Sequence, residues 1–131
     1  MMPVLDSFFI VDLLRENESA RKKLAEMEAE YITFSTTEVN VLELYRGAYL
    51  SMKTHQNLEK IKKILECFQI LELEESVYEV FASLSANLLS NGKSIGAFDE
   101  LIAAITLCHN EKIVTRDNHF KKVPGLEVID Y

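Results

Sequence analysis

Residues 4–16 read VLDSFFIVDLLRE, and this stretch decides the fold. A short apolar run, Met2 to Leu5, ends in an acid, Asp6, and passes straight into a segment from Ser7 to about Arg15 that is apolar nearly all round. That pattern predicts a strand feeding a helix that is buried on more than one side. Near the other end, Ile113-Val114-Thr115-Arg116-Asp117 repeats the arrangement of an apolar run ending in an acid. In an open parallel sheet, ligands collect in the crevice outside the carboxyl ends of the strands. If the first and fourth strands are neighbours, Asp6 and Asp117 therefore reach the same sheet edge.

Working outward, strands and helices alternate. Asn17-Glu18-Ser19 punctuates the chain, a charged helix then runs to about Ala29, and the β-branched and aromatic residues Tyr31-Ile32-Thr33-Phe34 predict the second strand. Ser35-Thr36-Thr37 offers N-caps for a helix over about residues 37–51, whose core face would carry Leu42, Tyr45 and Tyr49. Leu58, Ile61, Ile64, Leu65 and Phe68 form the stripe of the next helix, Gln69 to Leu73 a third strand, and Val77, Val80, Phe81, Leu84 and Leu88 a further amphipathic helix ending near Asn91-Gly92. A helix from about Phe98 to Cys108, a strand Lys112 to Thr115, a short turn at Asn118-His119-Phe120 and a strand Leu126 to Ile129 complete the chain. Strands separated by helices imply right-handed crossovers and helices on both faces of a mostly parallel sheet.

With 131 residues, 48% of them hydrophobic, the chain has material for one core, and the expectation is a single domain over 1–131. The apolar start is interrupted by Asp6 and Asp12 and lacks a basic leader, so it reads as neither signal peptide nor membrane span, and a cytoplasmic location is expected. Cys67 and Cys108 lie on apolar helical stretches without C-x-x-C spacing, which predicts buried reduced thiols. A net charge of −7 weighs against phosphate binding, although bound cations would offset part of it. The groups Lys60, Lys62, Lys63 and Arg116, Lys121, Lys122 read as solvated faces.

Two further acids fall on this frame. Asp99 lies in the first turn of its helix, and Glu43 lies on a polar strip with Asn40 and Gly47. Singly, each of the four acids has an ordinary use: Asp6 and Asp117 as N-caps, Asp99 as a partner of the helix dipole, Glu43 as a solvated residue. Gathered together they would repel and raise one another's pKa unless a cation were bound. With no His or Cys at ligand spacing, oxygen ligands point to Mg²⁺ or Mn²⁺ rather than zinc. His55, His109 and His119 are scattered and read as surface or packing residues, His119 alone lying near an acid of the set.

The segments VLDSFFIVDLLRE (4–16), VLELYRGA (41–48), IGAFDELIAAITL (95–107) and KIVTRDNHFKKVPGLEVI (112–129) resemble a PIN-domain ribonuclease of the VapC toxin type, over the whole chain. The resemblance implies a three-layer α/β/α fold around a central, mostly parallel sheet of about five strands. It also implies an acidic site of Asp6, Glu43, Asp99 and Asp117, with Ser7 and Thr115 as supporting hydroxyls and Glu100 peripheral. The chain departs from the pattern at Asn40, where the family often has a threonine three residues before the helical glutamate. The implied chemistry is metal-assisted hydrolysis of RNA phosphodiester bonds with Mg²⁺ or Mn²⁺, as one ion or as a pair about 3.5–4 Å apart. Asp6 and Asp99 would be the main ligands, Asp117 would ligate directly or through water, and Glu43 would position a second ion or the attacking water. Arg116 is expected to face solvent, with contact to a substrate phosphate as the alternative. The implied partners are the RNA substrate, a VapB-like antitoxin whose basic tail occupies a groove beside the acids, and a second copy of the chain docked partly through the helices of about residues 36–68.

Other readings remain. A haloacid-dehalogenase-like phosphatase needs a second Asp where this chain has Phe8, and a receiver-like domain needs paired acids and a late lysine that are not evident. A housekeeping PIN nuclease in RNA processing would differ by having no antitoxin gene upstream. A non-enzymatic PIN-fold binding module is disfavoured by the intact acids.

Overall fold

In the computed structural model, which describes residues 1–131, Val4–Leu5 form the central strand β1. Successive strand residues face opposite sides of a sheet; Val4 accordingly enters one apolar core and Leu5 the other. The remaining elements are α1 (Ser7–Leu14), α2 (Glu18–Glu28), β2 (Ser35–Thr37), α3 (Glu38–Leu50), α4 (Thr54–Leu65), β3 (Gln69–Leu71), α5 (Glu75–Ser90), α6 (Ala97–Cys108), β4 (Ile113–Val114), a 3₁₀ turn (Asn118–Lys122) and β5 (Val128–Ile129). The five strands are all parallel, in the order β3-β2-β1-β4-β5.

One core packs α5 and α6 against Val4 and Ile113; the other packs α1, α2 and α4 against Leu5 and Val114. α3 serves both, giving Val39 to the first and Leu44 and Ala48 to the second. The architecture is therefore the expected α/β/α sandwich. Phe9 and Phe120 are fully buried, one in each core, and each such ring contributes roughly 1.5–3 kcal/mol by leaving water.

The strand order places a crevice where the site requires one. From β1 the chain steps out to β2 and β3, then returns to add β4 and β5 on the other side of β1. The crossover direction reverses between β1 and β4, whose residues pair Val4 with Ile113 and Leu5 with Val114. Asp6 thus leaves the sheet directly beside Thr115, at the switch point.

Several local expectations are corrected. The second strand is Ser35–Thr37, not Tyr31–Phe34. Tyr31 and Phe34 are buried in the second core but lie outside the strand. The hydroxyl-rich strand is buried because Ser35 Oγ donates to the Met2 and Pro3 carbonyls and Thr36 Oγ1 to the Leu5 carbonyl, leaving no hydroxyl unpaired. On α3 the core face is Val39, Asn40, Leu44 and Ala48, whereas Leu42 and Tyr49 are exposed. Both cysteines are free, but Cys67 is exposed and Cys108 half-buried, against the expectation of buried thiols. α1 buries Phe9, Ile10 and Asp12 but turns Phe8 outward, so it is not enclosed all round.

Candidate active site

Asp6 occupies the N-cap position of α1, yet its side chain makes no capping bond to that helix. Its carboxylate is 3% exposed. Thr115 Oγ1 donates to Oδ2 at 2.8 Å and Asn40 Nδ2 donates to Oδ1 at 3.1 Å, so β4 and α3 fix it from two sides. Thr115 Oγ1 also accepts from the Asp117 main-chain N–H at 3.0 Å, tying the second strand-end acid to the first. Asp117 itself caps the 3₁₀ turn, accepting from the His119 N–H at 2.9 Å.

Glu43 is reached through a relay. Asn40 Nδ2 donates to Ser7 Oγ at 3.0 Å, and Ser7 Oγ donates to Glu43 Oε1 at 2.8 Å. Asn40 also closes a reciprocal capping box with Thr37 at the start of α3, an arrangement that satisfies two orphan helix N–H groups. Asp99 stands in the first turn of α6, which starts after Gly96 at φ +99°, a conformation that favours glycine. Glu100, beside it, is buried and accepts from the Ile95 N–H, holding the loop before α6.

The electrostatics report the convergence of all four acids. Burial, joined by the charges of Asp6, Glu43, Asp117 and Glu100, pushes Asp99 up to about 7. Burial, with the Glu43 charge, raises Asp6 to about 6, against the opposing bonds from Thr115 and Asn40. Glu43 is also raised, mainly by burial, with the Ser7 bond opposing. Buried carboxylates raised first by burial and, at Asp99 and Asp6, further by neighbouring acids are a donor set fitted to a divalent cation, which would offset both costs. Asp99, Asp117 and His119 can bring one ligand atom each within 4.8 Å of one another. His119 Nδ1 lies 3.3 Å from Asp117 Oδ1, so the cluster is not made of oxygens alone, as expected, but has an imidazole at its edge.

Asp6, Ser7, Glu43 and Asp99 line a cavity of about 600 Å³ that also carries Phe8, Arg15, Arg46, Phe98 and Arg116. It continues into a second cavity of about 230 Å³ between α1, α3 and α4, lined by Leu14, Lys60 and Ile61 and sharing Ser7, Arg15 and Glu43. Arg116 does not simply face solvent, as expected: its Nε donates to the buried Asp12 at 2.8 Å, and Tyr131 Oη donates to the same oxygen at 2.5 Å. Burial and Asp12 together push the Tyr131 hydroxyl well above its ordinary value.

Of the residues named from the sequence, Asp6, Ser7, Glu43 and Asp99 line the larger cavity, whereas Asp117 and Thr115 do not line it and join the group through the Thr115 bonds. Asn40 is the residue whose role the sequence concealed. It stands three positions before Glu43, but its amide donates to Asp6 and Ser7 at the start of α1. Asp12, Arg46, Phe8 and Phe98 have no motif of their own, and only the fold gathers them. No helix is long and apolar enough to cross a membrane.

Known proteins share this fold. The family model for the PIN domain matches residues 4–126. The chain is 30% identical over 108 residues to the DNA repair protein RecN of Aquifex aeolicus, a match spanning 78% of this chain but only 20% of that protein. It is 22% identical over 96 residues to the tRNA(fMet)-specific endonuclease VapC of Salmonella typhimurium, covering 72% of this chain and 73% of that one. Among solved structures, VapBC2 from Rickettsia felis bound to a promoter DNA fragment superposes with a TM-score of 0.91 at 24% identity, over 100% of this chain and 99% of that one. With the strand order, the switch-point crevice and a family match over nearly its whole length, the chain belongs to the PIN domain family.

Proposed function

We propose that this protein is a Mg²⁺- or Mn²⁺-dependent endoribonuclease, the toxin of a VapBC-type toxin-antitoxin pair. The observation that carries the reading is the convergence of Asp6, Glu43, Asp99 and Asp117, registered in the rise of Asp99 to about 7. The relative named a tRNA(fMet)-specific endonuclease supports RNA as the substrate class.

Asp6 and Asp99 would hold the cation, with Asp117 closing the set and His119 at its edge. A bound divalent ion supplies charge neutralisation at the scissile phosphate and lowers the pKa of the attacking water. Glu43, held by Ser7, would orient the attacking water and accept its proton. Thr115 and Asn40 keep the Asp6 carboxylate in one orientation, so that no reorganisation is needed when charge develops.

The 230 Å³ cavity opening from the acids has apolar walls at Leu14 and Ile61 and shares Glu43 with the site. Those walls suit the apolar residues of an antitoxin tail, and a single basic side chain of that tail would enter among the neighbouring carboxylates. The exposed Leu42, Tyr49 and Leu50 on α3 supply an apolar face for a second copy of the chain.

The test is cleavage of structured RNAs by the purified protein with Mg²⁺ or Mn²⁺, against EDTA and against Asp6→Asn and Asp99→Asn. Cleavage is expected to need the metal and to fall by several orders of magnitude in each variant. Cleavage that survives both substitutions overturns the proposed site.

A further inference from the structure

The acid cavity contains features that neither the metal site nor folding accounts for. Phe8 is 45% exposed and Phe98 49% exposed, both rings line the cavity, and neither packs into either apolar core. They flank the acids in sequence as well as in space, Phe8 two residues after Asp6 and Phe98 one residue before Asp99. Arg15 and Arg46 line the same cavity and form no ion pair, although the chain carries an excess of acids. Arg116 lies over the Phe8 ring with its guanidinium carbon 4.8 Å from the centroid, anchored there by Asp12.

An occupant of this cavity must bring flat apolar faces for the rings and negative charge for the two free arginines. A basic peptide tail would answer the carboxylates but leave Arg15 and Arg46 unpaired. Unpaired RNA meets both demands, because each nucleotide carries a π-face and a phosphate, and splayed bases stack on aromatic rings and guanidinium planes. A duplex keeps its base faces covered. Resting on the nuclease reading above, we propose that Phe98 and the Phe8–Arg116 pair are stacking platforms for the bases on either side of the scissile phosphate. Arg15 and Arg46 take the adjoining phosphates. The two phenylalanines would thereby confer selectivity for unpaired over paired bases beside the cleaved bond.

The test uses the full chain carrying Phe8→Leu, Phe98→Leu or both, with Phe8→Tyr and Phe98→Tyr as ring-preserving controls and thermal unfolding to verify each fold. Binding of a single-stranded oligoribonucleotide containing 2-aminopurine is followed in an Asp99→Asn background, and KM and kcat in the cleaving protein with Mn²⁺. Each leucine variant is expected to lose 2-aminopurine quenching and to raise Kd and KM about tenfold. Mn²⁺ affinity and the weak binding of duplex RNA should stay unchanged, and tyrosine should restore the quenching. A double leucine variant that retains quenching and KM while the wild type cleaves overturns the platforms and leaves the nuclease reading standing. The platforms are likewise overturned if the leucine variants lose only the binding of a basic antitoxin peptide, since the rings would then serve a protein. A wild type that cleaves no RNA with either metal removes both readings.

Discussion

Asp99→Asn should make the metal-free protein more stable, even though it removes a proposed metal ligand. The Asp99 carboxylate is perturbed by burial and by four neighbouring acids, with no hydrogen bond to hold its charged form. An acid raised from 3.8 to about 7 binds more protons folded than unfolded throughout that window, so its contribution to stability falls as pH rises through the window and is fully unfavourable above it. Three units correspond to a ceiling of about 4 kcal/mol, and solvent screening of this half-buried group reduces that to about 1–2 kcal/mol. Asparagine has nearly the same shape and no charge, so the variant escapes this penalty.

For a chain of this size, about 1–2 kcal/mol corresponds to a rise in Tm of roughly 4–8 °C. The assay is thermal unfolding of both proteins in EDTA, at pH 4 and pH 8. The variant should gain the full increment at pH 8 and almost none at pH 4, where Asp99 is largely protonated in the folded state and about half protonated in the unfolded one. Saturating Mn²⁺ should reverse the order, because a cation at 100 times its Kd adds about 2.7 kcal/mol to the wild type and less to a protein lacking one ligand. A variant less stable than wild type at pH 8 without metal, or equally shifted at both pH values, would refute the claim that burial and the neighbouring acids penalise a charged Asp99.

The same electrostatics govern metal affinity: Asp6 near 6 and Asp99 near 7 are protonated in acid. Mn²⁺ Kd measured by calorimetry should therefore weaken steeply below pH 7, by up to about tenfold per pH unit for each proton displaced. Thr115→Val removes both the donor to Asp6 and the acceptor of the Asp117 N–H, costing about 1–3 kcal/mol in chemical denaturation. Because the Thr115 bond lowers the Asp6 pKa, the acid limb of the cleavage profile should move to higher pH in Thr115→Val and return in Thr115→Ser. Asn40→Asp puts a carboxyl group where an amide donates to Asp6 at 3.1 Å, so it should be less stable than Asn40→Ala at pH 8 despite its better shape. That gap should close at pH 4, and a gap independent of pH would count against the charge argument.

The alternation of strands and helices and the four acids can be read from the chain because each rests on local signals: period, caps, and an acid at the end of an apolar run. The second strand cannot. Ser35, Thr36 and Thr37 have the composition of a turn, and they form a buried strand only because the carbonyls of Met2, Pro3 and Leu5 and the side chain of Asn40 accept their hydroxyls. The three carbonyls are in reach only after β1 is in place. α3 is apolar on two sides, with Val39, Leu44 and Ala48 on one and Leu42 and Tyr49 on the other, so helical period alone cannot choose the buried face. The choice is made by the sheet and α1, which α3 must meet at Asn40. In the sequence His119 stands out only as a neighbour of Asp117, because a lone histidine in a turn has no ligand spacing, and its closeness to Asp99 depends on the tertiary fold.

Asn40 also explains why Glu43, the acid with the weakest signal in the sequence, is held in the site at all. An asparagine side chain offers two donors and one oxygen with two lone pairs. Here the oxygen accepts from the Thr37 main-chain N–H at 3.3 Å and from Thr37 Oγ1 at 2.8 Å, while the amide donates to Asp6 and to Ser7. Its capacity is fully used, and its orientation is fixed by its own helix cap rather than by the acids. Ser7 accepts from this amide, so its one proton is committed to Glu43. The direction of every bond therefore runs from the cap of α3 toward the two carboxylates, and each carboxylate is held as an acceptor. A threonine at position 40 has a single proton and could donate to Asp6 or to Ser7 but not to both. In this chain the amide couples the strand-end acid to the helical one, and the start of α3 sets the spacing between them.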